Sequence, residues 1–329
     1  MGPIIKNIRS LRHLRDYKNK IETYIKDLML KARNDGHEEV VDLSEHILLA
    51  GGKRIRPMLL ILCYEMLGGK NLDEILPLAT AYEIIHTATL IHDDINDNAK
   101  IRRGVKTIHE LEGQAKAQIT GDWLFVVGFG LGGQYEKDIV DIMSETCSKM
   151  ASAELKQIEH IHDTSTTIDD YYSIIEGKTA GPFASGCKAV AILTGQDKKT
   201  QDALFNFGMQ LGLAFQLVDD LLDLIGDDRL GKPRGLDILE GKMTLPLLLG
   251  IQNLKNKDKD KLLDLISKYH LQDLEEILHL LKISGSIDYC RNLVNEHLSS
   301  AIRQINFIND NPSKKMVLEL AHYVRSRYD

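Results

Sequence analysis

Three aspartates, Asp93, Asp94 and Asp97, stand within five residues at the end of the apolar stretch that closes on Leu90-Ile91-His92. Asp93 and Asp97 are four apart, a spacing that on a helix stacks them on one face and turns Asp94 about 100° away. Two carboxylates held roughly 6 Å apart repel by about 3 kcal/mol at an effective dielectric near 20, so the cluster calls for a cation. The pattern D-D-x-x-D returns at Asp219, Asp220 and Asp223, 126 residues later (219 minus 93). One such cluster reads equally well as a helix cap or a solvated face. Two of them, each led in by apolar residues, read as a pair of sites for a hard divalent ion. Magnesium takes carboxylate oxygens together with water and substrate phosphates, so facing clusters point to a magnesium-bridged diphosphate.

Basic and polar residues accompany both clusters. Gly51-Gly52-Lys53-Arg54-Ile55-Arg56-Pro57 sets three cations beside two glycines where a helix begins. Proline suits a first helical turn, and the free N–H groups there favour an anion. Alone, the segment is a charged loop ahead of a buried helix. His86 precedes Asp93 by seven residues, about two turns, so both can face one cavity; alone, it is a core histidine. Arg102 and Arg103 follow the first cluster, and their planar forks suit the aspartates or a phosphate. Lys178 and Thr179 lie in the small-residue break 177–182, which predicts a kink that exposes backbone carbonyls. Gln216, on an apolar background just before Asp219, needs partners and is either a core hydrogen bonder or part of a pocket wall. Lys232 lies in a long polar loop, and Lys242 precedes a further apolar helix.

The elements that must position these residues are helices. Helical periodicity runs nearly end to end through 329 residues with seven prolines and no linker, which predicts a single all-α domain. Expected helices cover 4–35, 38–50, 58–67, 72–98, 137–162, 168–176 and 200–226, with another opening near 246 and three or four from 257 onward. No chemical motif is visible beyond 257. The stretch 121–133 is apolar on most sides and rich in glycine, so it should form a central helix whose glycines serve close packing or leave room for a ligand. A formal net charge of −7 argues against a general nucleic-acid binder. Cys63, Cys147, Cys187 and Cys290 form no C-x-x-C pair and read as reduced packing residues of a cytoplasmic protein. No apolar run reaches membrane-spanning length, and no signal-peptide core opens the chain.

Taken together, G-G-K-R-x-R-P, the first D-D-x-x-D with its following R-R-G, the K-T pair, F-Q-x-x-D-D-x-x-D and G-K-P-x-G-x-D-x-x-x-G-K-x-T-L-P resemble the trans-prenyl diphosphate synthases, in the right order over residues 51 to 246. The resemblance implies an all-α fold of antiparallel helices around a deep central cavity, one synthase domain over 1–329 with structural helices from 257, and a homodimer. It implies a magnesium-dependent prenyltransferase that condenses isopentenyl diphosphate head-to-tail with an allylic diphosphate, with three ions once substrate is bound. Residue by residue, it makes Asp93, Asp97 and Asp219 the principal magnesium ligands, supported by Asp94, Asp220 and Asp223 directly or through water. It places the allylic diphosphate at Arg102, Lys178 and Lys232, with Lys242 closing over the phosphates. Isopentenyl diphosphate falls to Lys53, Arg56, His86 and Arg103, and Thr179, Gln216 and the Lys178 carbonyl face the reacting carbons.

Product length in such enzymes follows from how far the tail descends beside the first aspartate helix. Ala88 and Thr89, one turn back from Asp93, are small where short-chain relatives carry a bulky aromatic, which implies geranylgeranyl length or longer. Phe129 is the expected cavity floor, with Trp123, Phe125 and Ile85 as wall residues. One departure is Ala153-Glu154, where relatives often carry Gly-Glu; the extra methyl is expected to narrow the cavity. Rival readings are a terpene cyclase or squalene-synthase-like enzyme, an HD-type phosphohydrolase suggested by His92-Asp93, and a non-catalytic subunit of a heteromeric synthase. The basic segment before Pro57 and the presence of both aspartate clusters speak against them.

Overall fold

The structure, a computed structural model, describes residues 8–226 and 234–327. It is all-α apart from one two-stranded hairpin. In chain order, α1 (Ile8–Asn34) and α2 (Glu38–Leu48) lead to α3 (Ile55–Met66) and α4 (Leu72–Asn96). The hairpin pairs β1 (Ile101–Arg102) with β2 (Val105–Lys106) and is followed by α5 (Ile108–Glu112), α6 (Gln114–Gly132) and α7 (Lys137–Glu159). Next come α8 (Ile168–Ile175), a π-helical turn (Glu176–Ala180), α9 (Gly181–Leu193) and α10 (Lys198–Ile225). The remainder is α11 (Leu236–Leu239), α12 (Leu245–Asn253), α13 (Asn256–Ser267), α14 (Leu274–Ile283), α15 (Ser286–Gln304) and α16 (Pro312–Arg325).

The two aspartate-bearing helices are the central ones. On α4 the buried side chains run all round the helix, from Ile75 through Ala81, Ile84, Ile85 and Ala88 to Ile91, as a helix surrounded by others requires. Asn71 starts it by accepting from the Asp73 amide at 3.1 Å. Asp197 does the same for α10, accepting from the Thr200 amide at 2.8 Å. Helix α6 packs along α4, and α10 packs against α9 and α15. The glycines of α6 serve close packing: a Cβ at Gly128 would lie 2.6 Å from Ile85 Cγ1, and one at Gly121 would lie 2.3 Å from His92 Nε2. Between α9 and α10 the approach is tighter still, since a Cβ at Gly208 would meet the Phe183 carbonyl oxygen at 2.4 Å.

Three local features differ from the periodicity reading. Helix α3 opens at Ile55, so Arg56 and Pro57 lie within its first turn and Arg54, at φ 51°, is the residue that turns the chain into it. The segment after the first cluster is a tight hairpin whose turn places Arg103 at φ 52° and Gly104 at φ 82°, the left-handed pair that a two-residue hairpin turn takes. The break at 177–182 is built as a π-helical turn that joins α8 to α9, and its wider ring is closed by the Gly181 amide on the Glu176 carbonyl.

Candidate active site

The ends of α4 and α10 open onto one cavity of about 410 Å³. Asp93 and Asp97 reach it from α4, Asp219 and Asp220 from α10, and Asp237 from α11. Lys178 and Thr179 enter from the π-helical turn, and Arg56, His86, Arg102, Gln216 and Lys242 complete its polar wall, while Leu90, Ile174, Ile175 and Phe215 supply the apolar one. Residues far apart in sequence thus converge as the motif spacing predicts. Asp94 and Asp223 stand just behind the wall, and Lys232 lies outside the described residues.

Each of the six clustered aspartates already has a partner, which answers the repulsion argument from the sequence. Lys178 Nζ lies 3.4 Å from Asp93 and is shared with Glu154 at 2.5 Å and Gln157 at 2.6 Å. Arg102 grips the buried Asp94 through Nε at 2.7 Å and Nη2 at 2.5 Å. Lys242 Nζ bonds Asp97 at 2.9 Å and Glu240 at 2.7 Å. In the second cluster, Arg327 Nη2 donates to Asp219 at 2.5 Å. Tyr171 donates its hydroxyl to Asp220 at 2.6 Å, and Gln216 Nε2 donates to the other Asp220 oxygen at 2.8 Å. Asp223 accepts from the backbone amides of Leu236 and Asp237 at 3.1 and 3.2 Å.

Burial dominates the electrostatics. It pushes Asp93 and Asp223 up to about 6 and Asp220 up to about 7, against an ordinary 3.8. Asp237 is likewise raised by burial and by Asp223 and Asp220 beside it. Burial alone would lower Lys242, but Asp97, Asp237 and Glu240 around it hold it above the ordinary lysine value.

The basic side of the wall is built around Arg56 and His86. Arg56 Nη1 lies 3.0 Å from His86 Nε2. Burial, and then the charges of Arg56, Arg103, Arg102 and Arg54, push His86 well down, so its ring is neutral and Nε2 accepts the guanidinium proton. Arg56 also stacks over Phe183, at 4.8 Å from the ring centre. Arg103 turns away from the aspartates: it donates to the Ile47 carbonyl at 3.2 Å and lies 3.5 Å from Glu83. Gly52 sits directly over its guanidinium, where a Cβ would be 3.4 Å from Cζ. Glu83, 3% exposed, also binds the fully buried Arg54 at 2.6 Å. Lys53 stays exposed, with Nζ 5.6 Å from the Tyr323 ring centre.

Several expected neighbours of the tail lie elsewhere. Thr89 lines the cavity, and Ile85 lines a smaller pocket of about 20 Å³ that shares Arg56, His86 and Lys178 with it. Tyr82, Met143, Cys147 and Met150 line that same pocket. Ala88 is wholly buried in the core and lines neither space, and Phe129 is half-buried on α6 and lines neither. Trp123 instead meets His37, and Phe125 stacks on His92 at 5.9 Å. The extra methyl of Ala153 does not point into the cavity; it fills the space over Gly177, where a second Cβ would lie 2.6 Å from it.

Five residues of this constellation carried no role in the sequence reading. Asp237 stood inside the quoted G-x-D motif, and Glu83 is an acid in the apolar run Tyr82–Ile85, a signal in itself because a buried charge needs a partner. Gln157 and Tyr171 carry no comparable signal. Arg327, from the region beyond 257 where no motif is visible, covers Asp219 and stacks on Phe215 at 4.6 Å. Its Nε and Nη1, like Arg56 Nε, are buried without a hydrogen-bond partner.

The carboxylates present a donor set of hard oxygens, the kind magnesium takes, and so fit that ion. Among the described residues, no three acidic side chains already converge into a metal cage. Among the described residues, no helix is long and apolar enough to cross a membrane.

Comparison with known proteins agrees with the geometry. The family described as polyprenyl synthetase matches residues 37–283. The chain is 34% identical over 299 residues to the geranylgeranyl diphosphate synthase of Methanosarcina mazei, covering 88% of this chain and 90% of that one. It is 33% identical over 291 residues to the all-trans-nonaprenyl-diphosphate synthase (geranyl-diphosphate specific) of Rhodobacter capsulatus, covering 88% and 89%. Among solved structures, a polyprenyl synthase of Caulobacter crescentus complexed with calcium and isoprenyl diphosphate superposes with a TM-score of 0.89 at 32% identity, covering 100% of this chain and 99% of that one.

Proposed function

The chain belongs to the polyprenyl synthetase family, the trans-prenyl diphosphate synthases, and from that premise we propose that it joins isopentenyl diphosphate head-to-tail to an allylic diphosphate and stops at geranylgeranyl length. The observation that carries the reading is the meeting in one cavity of two sets of groups, the carboxylates Asp93, Asp97 and Asp219 and the basic pair Arg56 and His86. Two diphosphates need two such places.

Asp93, Asp97 and Asp219 hold magnesium, with Asp237 beside them, and the protein cations now on those carboxylates turn to the substrates. Magnesium supplies charge neutralisation for the departing diphosphate. Lys178, Arg102 and Lys242 grip the allylic diphosphate, while Arg56, Arg103 and Lys53 hold isopentenyl diphosphate; the unpartnered Nε of Arg56 supports this. As the allylic C–O bond breaks, positive charge grows on carbon, and Thr179, Gln216 and the Lys178 carbonyl meet it with oxygen. The apolar wall excludes water. The double bond of isopentenyl diphosphate attacks, and the proton lost passes to the released diphosphate.

Product length follows from Tyr82. It stands eleven residues before Asp93, roughly 16 Å along the helix, and its hydroxyl is tied to Ser185 Oγ at 3.2 Å, which makes it a firmer floor than the adaptable Met143 and Met150 beside it. We take the whole chain as one synthase domain, since Arg327 at the far end reaches Asp219. A homodimer is supported by the exposed stripe of α6, where Ile119 and Val126, seven residues apart on one face, are 62% and 70% exposed. The four free cysteines, three of them buried, fit a cytoplasmic location.

The proposal is tested by Arg56→Ala and Asp93→Asn. Arg56→Ala should weaken calorimetric binding of isopentenyl diphosphate in the absence of metal, and Asp93→Asn should leave that binding intact while abolishing magnesium-dependent turnover. Equal effects of both on metal-free binding would contradict the two-site assignment.

A further inference from the structure

Thr179 and Gln216 face the cavity, and the directions of their dipoles are set by hydrogen bonds behind them. Asp220 is 2% exposed and accepts on both oxygens, from Tyr171 and from Gln216 Nε2. With both Asp220 oxygens accepting, the Gln216 amide turns its NH₂ toward Asp220 and its carbonyl the other way. That carbonyl, Oε1, accepts the Thr179 hydroxyl proton at 2.9 Å. Thr179 has one proton, and Gln216 takes it. Its remaining lone pairs are therefore left for the cavity. If the amide were reversed, Oε1 would face a buried carboxylate oxygen and the amide protons would face Thr179. The hydroxyl proton could then swing into the cavity, where it would oppose a positive carbon.

We propose that Tyr171 and Asp220 are positioning residues that fix the polarity of the Gln216–Thr179 pair, so that oxygen lone pairs and not protons meet the carbocation. The proposal rests on the prenyl-transfer reading and gives Asp220 a positioning role through its bonds to Tyr171 and Gln216. Tyr171 contributes the second bond that stops the carboxylate from rotating, and α8 holds it there: Thr167 caps that helix by accepting from the Asp170 amide at 3.1 Å.

The test is a double-mutant cycle on the full-length enzyme, pairing Tyr171→Phe with Thr179→Val and reading kcat at saturating substrates. Tyr171→Phe should lower kcat about tenfold, less than the 10²–10³ lost with a directly contacting group, and leave both KM values within about twofold. In the Thr179→Val background the same change should cost less than about twofold, because the dipole it orients is already gone. Equal losses in both backgrounds would overturn the proposal, since a merely structural defect is indifferent to residue 179. Asp220→Asn, run through the same cycle, gives an independent reading if Tyr171→Phe folds poorly, and additivity there would overturn the proposal equally. Unchanged kcat in Thr179→Val alone would instead remove the role of Thr179, a failure of the reading beneath the proposal.

Discussion

At the scale of single residues, the site is a set of charges held by one another. Glu83 shows what that costs to disturb: it neutralises Arg54 and anchors Arg103, all within the protein interior. Removing one partner of such a buried pair costs about 3–5 kcal/mol. Glu83→Gln should lower the urea midpoint accordingly and raise the KM for isopentenyl diphosphate about tenfold, the 1.4 kcal/mol of one displaced charge contact, with the allylic KM little changed. Equal rises in both KM values would contradict the placement of Arg103.

The raised carboxyls predict a pH dependence. Asp93, Asp223 and Asp220 titrate near 6, 6 and 7 in the folded protein against an ordinary 3.8. A raised acid stabilises the fold most when protonated, so in metal-free protein their contribution is complete below about pH 4 and is lost as pH rises to 7. Metal needs the opposite form. Magnesium affinity should fall as pH drops from 8 through 6, and calorimetry near pH 6 should show protons released on binding; pH-independent affinity would contradict the shift.

At the scale of elements, the site depends on how closely helices approach. Gly208 lets α10 touch the Phe183 carbonyl of α9, and Gln216 lies two turns further along α10. Gly208→Ala should destabilise the protein by about 1–3 kcal/mol and lower kcat by spreading Thr179 from Gln216; unfolding midpoints and turnover check both. This scale also shows what the sequence could reveal. Existence and order of the long helices were legible because an apolar face repeats at 3.6 residues. That Asp93 and Asp97 face one cavity with Asp219 was legible because spacing along one helix predicts a shared face. The π-helical turn was not legible, since one extra residue per ring leaves no periodic trace over five residues. The opposite aims of Arg102 and Arg103 came only from the family resemblance, because they follow from a hairpin turn only two residues long. Tyr171 and Arg327 escaped notice because their partners lie 49 and 108 residues away.

At the scale of the whole molecule, product length and assembly are where one side chain governs a global property. Tyr82→Ala should open the small pocket and shift the product beyond geranylgeranyl length, whereas Phe129→Ala should leave it unchanged, because only the first lines the space below His86. Chromatography of the dephosphorylated products distinguishes them. Val126→Glu should halve the mass seen by light scattering if the α6 stripe joins two copies; an unchanged mass would place the interface elsewhere.

The central claim is tested most directly by incubating the wild-type enzyme with radiolabelled isopentenyl diphosphate, magnesium and a panel of allylic primers, then resolving the dephosphorylated products. The account predicts metal-dependent incorporation ending at the geranylgeranyl alcohol. A ladder that stops at farnesyl or runs past geranylgeranyl would contradict the Tyr82 floor, and no incorporation from any primer would contradict the reaction itself.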